Sequence, residues 1–402
     1  MHDPDPGEPD RLDQLRPELR AVLAEGLGRL EGLARRPADG PFSPEVPRAL
    51  AAAGLQRLVV PLGRGGLGAG LRETALVLAA LGARDGSAAL GLAMHSQIIG
   101  GALQANAGSW PLPLLRELID GCASDGGWAG TAAAGGDAGS PLPGADLETT
   151  AVPAAGGTYR LDGQEAWLAW LPSLHRLLVT AAVEDGSALF LLDPLTPGLE
   201  IEGGVAAFAL RGSGSGRLRL RDVAVSADRL VSCRPRGQPD HRGPAPRAWF
   251  GMAVAAVYLG IGEGGRAAVA AFAGERQPSD APRGLGLGPI PSLAVRLGRL
   301  DATLRVARLV VLETARRWDA TPAGDAAARQ ALLDDVALAK VTATNAAVSA
   351  TDEALRICGG PGLAEGPLER AFRDARAGLI HPPLDDICYQ SFAGRLLGAS
   401  ED

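Results

Sequence analysis

Apolar positions in the last third of the chain recur with a helical period. Leu297, Leu300, Leu304, Ala307 and Val311 follow at steps of three or four residues, which predicts one buried face of a long helix. A second long helix is predicted from Ala326 to Ile357, where Gly359-Gly360-Pro361 supplies a glycine stop and a proline. Ser391 to Leu397 reads as a final helix. Near the N-terminus, Ser43-Pro44-Glu45 reads as a cap with proline at the first helical position. Val59-Val60-Pro61 then runs into a glycine-rich turn at Gly63-Arg64-Gly65-Gly66-Leu67-Gly68. Arg72 to Ala83 and Ser87 to Ala105 are small and apolar without breakers, as buried helices are. Between about Gly126 and Cys233 the period changes to two. Arg217, Arg219 and Arg221 alternate with Leu218 and Leu220, Ala188 to Leu192 is a buried-strand run, and Asp162-Gly163 after Tyr159-Arg160-Leu161 signals a hairpin turn. The predicted fold is α+β: an N-terminal helical domain over 1–122, a central β domain over 123–233, a linker over 234–246 and a C-terminal helical bundle over 247–402.

Composition narrows the function classes. The chain has 402 residues, 46% of them hydrophobic and only 4% aromatic, so its cores must rest on Ala, Leu and Val. The net charge is -7, and no basic cluster is dense enough for nucleic acid. Lys340 is the only lysine. Cys122, Cys233, Cys358 and Cys388 are scattered without metal-site spacing, as reduced thiols of a cytoplasmic protein are. The acidic, proline-rich stretch from His2 to Asp10 lacks the basic and apolar regions of a signal peptide, and no apolar run approaches a membrane span.

Motifs then add a family. Val60-Pro61 with Gly65-Gly66-Leu67-Gly68 resembles the "VPxxxGGxG" turn of acyl-CoA dehydrogenases. Leu210-Arg211-Gly212-Ser213 followed by Leu220-Arg221-Asp222-Val223-Ala224-Val225 is similar to their "G-x-R-G-S … F-x-D-V-x-V-P" strand pair. Tyr159 to Gln164 with Trp167 resembles "Y-x-L-N-G-x-K-x-W-I-T". Ala339-Lys340, Arg356 to Gly362 and Arg373-Asp374-Ala375-Arg376 match in order and spacing, so the resemblance covers about Gly54 to Leu397. It implies helical, β-sandwich-like and four-helix-bundle domains, assembly as a homodimer or homotetramer, and FAD held between the β domain and the bundle. The expected substrate is an acyl thioester on CoA or an acyl carrier protein.

The resemblance fails where the chemistry lies. The family's glutamate base follows the Arg-Asp-Ala-Arg element, and registered on Arg373 to Arg376 that position is Pro382, which accepts no proton. Some relatives carry the glutamate on the first bundle helix; Phe250 and Gly251 stand there. His381 is the first candidate to replace the base or to donate a hydrogen bond, with packing as the other reading. Asp385 and Asp386 are replacement carboxylates or helix caps. Of the flavin contacts, Ser140 replaces the acid of the "T/S-E-P-x-x-G-S-D" loop, Thr131 is the candidate for its hydroxyl, and Trp167 is kept. Ala169 stands where threonine usually bonds the flavin, and Arg276 is kept without its phenylalanine. Gly359 and Gly360 would approach the adenine end of a neighbour's FAD. His95, Ser96, Phe250, Arg211 and Ser213 are the candidate substrate contacts, and the arginine stripe reads as a solvated strand face or as a surface for CoA phosphates or an acidic carrier. Three readings stay open: a dehydrogenase-like FAD enzyme with a substitute base, a flavin monooxygenase, and a degenerate homologue that binds a thioester or partner without redox chemistry, FAD being weakened or lost.

Overall fold

The computed structural model describes residues 11–33, 42–124, 126–132, 147–275 and 290–398. Five helices come first: α1 (Pro17–Gly32), α2 (Glu45–Ala53), α3 (Leu71–Gly82), α4 (Gly86–Leu103) and α5 (Leu112–Ser124). The strands are β1 (Ala129–Ala132), β2 (Thr150–Ala154), β3 (Thr158–Leu168), β4 (Arg176–Val183), β5 (Gly186–Leu192), β6 (Leu199–Gly204), β7 (Gly216–Ser226) and β8 (Leu230–Pro235). The last helices are α6 (Ala245–Glu275), α7 (Pro291–Ala320), α8 (Ala326–Ala331), α9 (Leu333–Cys358), α10 (Pro367–Arg376) and α11 (Asp385–Leu396). The fold is mixed α+β: helices, a central β domain, then helices. The strands form one sheet of order β6-β7-β3-β2-β4-β5-β8, with β1 and β2 each pairing parallel to β4.

Three local expectations need correction. Asp162-Gly163 makes no hairpin turn, because β3 runs through it. A register shift against β7 lies between Leu161 and Gly163, and Asp162 Oδ1 accepts from the Asp222 amide at 2.8 Å, so the pair marks a bulge. The turn between β2 and β3 falls at Gly156 and Gly157, both with positive φ. The helix expected from Ala326 to Ile357 is interrupted at Leu332, and Asp325 caps its first piece by accepting from the Ala328 amide. The final helix begins at Asp385, six residues before Ser391.

The periodic positions of α7 behave as the pattern requires: Leu300, Leu304, Ala307 and Val311 are buried. On β7, Leu218 and Leu220 are buried, while Arg219 and Arg221 pair with Glu202 and Glu200 of β6 on the solvated side. That leaves the arginine stripe mostly answered within its own sheet.

α6 is the axis of the molecule, packed on α3 and α4 on one side and on α9, α7 and α10 on the other. Its backbone reaches α3 because it carries glycine at the crossing. A Cβ at Gly260 would lie 2.2 Å from the Ala79 carbonyl oxygen, and one at Gly264 would lie 2.5 Å from that of Ala83. Polar groups fix the same arrangement. Gln104 Oε1, at the end of α4, accepts from the indole nitrogens of Trp249 on α6 (3.1 Å) and Trp318 on α7 (2.7 Å). Asp319 of α7 accepts from the Leu71 and Arg72 amides at 2.8 and 2.9 Å, capping α3 from another domain. Replacing this acceptor leaves two amide donors of α3 unsatisfied. Asp319→Ala should therefore lower unfolding free energy by about 1–2 kcal/mol, read as an earlier urea midpoint at unchanged slope.

Candidate active site

The segment that carries Pro382 turns beneath α6. After α10, residues Ala377 to Leu379 form a 3-10 turn, and Gly378 there packs against the side of Tyr258; an added Cβ would meet its ring and Thr344 Cγ2 at 3.0 Å. This contact brings His381 to the tyrosine. His381 Nδ1 lies 2.6 Å from the Tyr258 hydroxyl and 3.1 Å from the Ala377 carbonyl oxygen. Tyr258 is fully buried on α6. Burial, with the nearby Asp374 charge second, raises its pKa well above the usual phenol value, so its hydroxyl keeps its proton. Part of His381 stays accessible. Desolvation by its surroundings nonetheless lowers its pKa to about 4, with the Lys340 charge adding to the effect against the Ala377 bond. At neutral pH the imidazole is uncharged.

The carboxylate next in line is committed elsewhere. Lys340 of α9 is completely buried, and its Nζ donates to Asp385 Oδ1 at 2.9 Å. Asn345 Nδ2 donates to Asp385 Oδ2 at 2.6 Å. Both oxygens of Asp385 are thus occupied at the start of α11, where a carboxylate also suits the helix dipole. Asp386 is exposed to solvent. Phe250 is half-buried on α6, and a Cβ at Gly251 would already lie 2.7 Å from Val336 Cγ1, so neither residue at the alternative position supplies a base.

His95 and Ser96 sit apart, inside α4. His95 Nδ1 accepts from the Ala129 amide at 3.0 Å and Nε2 donates to the Gln56 carbonyl at 2.8 Å, so both ring nitrogens are used. Its ring meets Trp128 edge-on at 4.9 Å, and Trp128 meets Trp170 at 4.7 Å. Burial lowers the pKa of His95 to about 4. Ser96 Oγ is buried with no hydrogen-bond partner among the described residues. Arg211 is exposed and Ser213 buried on one short turn; Ser213 Oγ pairs with Ser215 Oγ at 2.8 Å, and its carbonyl accepts from the Trp170 amide at 2.7 Å. Asp374 of α10 holds that turn to the bundle by accepting from the Leu210 amide at 2.7 Å. Desolvation raises the Asp374 pKa to about 7.

With this geometry in hand, the relatives place the chain. A model described as "Acyl-CoA dehydrogenase, C-terminal domain" matches residues 252–385, and "Acyl-CoA dehydrogenase, N-terminal domain" matches 9–109. YdbM of Bacillus subtilis (strain 168), named as an inferred acyl-CoA dehydrogenase, is 31% identical over 361 residues, 88% of this chain and 90% of its own. The chain belongs to the acyl-CoA dehydrogenase family. The amino sugar nitrososynthase DnmZ of Streptomyces peucetius is 30% identical over 82% of this chain and 80% of its own. The FMN-bound crystal structure of TdsC from Paenibacillus sp. A11-2 covers 96% of this chain and 98% of its own with a TM-score of 0.82 at 21% identity, a likeness of fold.

Family members are flavoproteins, and two of the positions that the resemblance gives to the flavin are open in this chain. Trp167 closes β3 in a left-handed conformation (φ 63°) and leaves 47% of its surface open, a flat apolar face for a ring. Gly359 and Gly360 are exposed after α9 with open space where side chains would stand. Thr131 on β1 is part-exposed and able to donate, whereas the buried Ala169 adds no hydroxyl. Ser140 and Arg276 lie outside the described residues. Sequence reasoning missed Tyr258 and Asn345 and passed over Lys340 as a family match. A signal was present: the chain has three tyrosines and one lysine, and Tyr258 interrupts a run of small residues.

His95 and His381 set a pH dependence. Both are neutral in the fold down to about pH 4 and protonate near 6.5 when unfolded, so the unfolded chain binds more protons and stability falls as pH drops from 6.5 to 4. Asp374 acts oppositely, since its folded pKa of about 7 exceeds the unfolded value and stabilises the fold as pH drops through the same window. His95→Gln should flatten the acid-side loss by roughly 3 kcal/mol, and Asp374→Asn should steepen it. Urea unfolding at stepped pH values between 7 and 4 measures both slopes.

Proposed function

We propose that this protein is a flavin-dependent monooxygenase-type enzyme, using reduced flavin and molecular oxygen, and that it does not remove an α-proton from an acyl thioester. The observation that carries this reading is the state of the base position: Pro382 stands there, beside an uncharged His381 and an Asp385 tied to Lys340 and Asn345. Proton abstraction needs a free acceptor of suitable pKa. Oxygen chemistry needs a site that stabilises negative charge on oxygen, and a neutral imidazole can supply a hydrogen bond for that.

Trp167, Thr131, Gly359 and Gly360 would hold the cofactor, FAD by family resemblance or FMN as in TdsC, a dibenzothiophene monooxygenase. Bound and reduced, the flavin supplies the two electrons with which one oxygen atom of O2 enters the substrate and the other leaves as water. His381 would hydrogen-bond the oxygen that gains charge, and Pro382 beside it would not compete for protons. The name of DnmZ, an amino sugar nitrososynthase, supports the same direction. Because Gly359 and Gly360 lie open at the surface, a second copy of the chain would complete the site in a homodimer or homotetramer.

The likeness to YdbM supports a second reading, dehydrogenation of an acyl-CoA or acyl carrier protein thioester, with the buried Asp374, whose pKa is raised to about 7, as the carboxyl. Spectra separate the two. The protein should take up FAD or FMN and, once its flavin is reduced, consume oxygen. Anaerobic bleaching of the oxidised flavin by short- or long-chain acyl-CoA would sink the proposal, and a colourless protein with no affinity for either flavin would leave a non-redox thioester- or partner-binding homologue. His381→Ala should slow substrate oxygenation about a hundredfold while circular dichroism still shows the wild-type secondary structure.

A further inference from the structure

The Tyr258 hydroxyl is buried, keeps its proton, and must place that proton on an acceptor or lose a hydrogen bond's worth of stability. Among the described residues its partner is His381 Nδ1, at 2.6 Å. The Ala377 carbonyl, which could instead accept from a protonated Nδ1, is farther at 3.1 Å and already accepts from the Ile380 and His381 amides, both at 3.2 Å. A ring nitrogen that accepts cannot also carry the proton of a neutral imidazole.

We propose that Tyr258 is a positioning residue that fixes His381 as its Nε2–H tautomer, so that the site meets its ligand with a hydrogen-bond donor and takes an oxygen acceptor beside His381 in preference to an amine or other cation. Three features of the fold support it. Tyr258 has no room to swing away, because it is completely buried and its ring lies against the turn at Gly378. Nε2 has no hydrogen-bond partner among the described residues, so the atom that carries the proton is the one left for a ligand. The charged groups around the pair also leave it uncharged: Lys340 is satisfied by Asp385, and Asp374 is held by the Leu210 amide.

The role of His381 as a donor to oxygen rests on the flavin reading; the tautomer does not. The test is therefore spectroscopic. The full chain, labelled with ring-15N histidine, contains five histidines, and the signals of His381 are those lost in His381→Gln. In the wild type at pH 7 they should show a bare Nδ1 and a protonated Nε2. In Tyr258→Phe, which keeps the ring and its packing, the proton should move to Nδ1, drawn by the Ala377 carbonyl. His95, whose Nδ1 accepts from Ala129, should keep its Nε2–H signals in both proteins. A protonated Nδ1 on His381 in the wild type overturns the proposal by itself, and so does an unchanged tautomer in Tyr258→Phe. Normal His381 signals in a protein whose reduced flavin ignores oxygen would remove the flavin reading and leave the tautomer assignment standing.

Discussion

Close contact between the backbones of α3 and α6 is the constraint on which the rest of the structure depends. Helices packed through large side chains sit 8–10 Å apart; glycine at Gly260 and Gly264 brings the α6 main chain against the Ala79 and Ala83 carbonyls. With few aromatic residues to fill space, contact area must come from proximity. The opposite side of α6 follows the same logic: a Cβ at Gly262 would meet Leu304 at 2.7 Å and the Ala347 backbone at 3.0 Å. Tyr258 rides on the helix so placed, and so its hydroxyl arrives beneath the turn that carries His381.

The polar interior follows from that packing. Glu263 of α6 forms a two-pronged pair with Arg308 of α7, at 2.7 and 2.6 Å, where side chains too short to reach solvent would otherwise strand a charge. Lys340 is treated alike: its burial is matched by Asp385. The candidate carboxylate nearest the missing base in sequence is thereby spent on holding α11 to α9. Structural demand and catalytic demand compete for one side chain, and here structure holds it.

Much of this was legible in the chain because it depended on period and on glycine. The α7 face, the β7 alternation and the stop at Gly359, whose φ is +62°, are local properties that any neighbours would leave intact. Asp162-Gly163 was misread because a two-residue turn signal and a bulge share the same residues; pairing with β7, sixty residues later, decided between them. The break at Leu332 carries no side-chain cap and falls within an otherwise continuous helical pattern, so no local residue announces it. At the site, the motif register identified Pro382 and His381, since both sit in one short segment. It could not identify Tyr258, which lies 123 residues away in sequence and meets His381 only through the crossing of α6 with the turn after α10.

The shared acceptor at Gln104 has an optical consequence. Two of the six tryptophans, Trp249 and Trp318, both fully enclosed, direct their indole N–H groups at one amide oxygen. Their emission therefore responds together to any movement of α4 relative to the two long helices. A shift of that single amide would be seen as a red displacement from both fluorophores at once, giving the molecule an intrinsic gauge of whether its first and last domains are seated against each other.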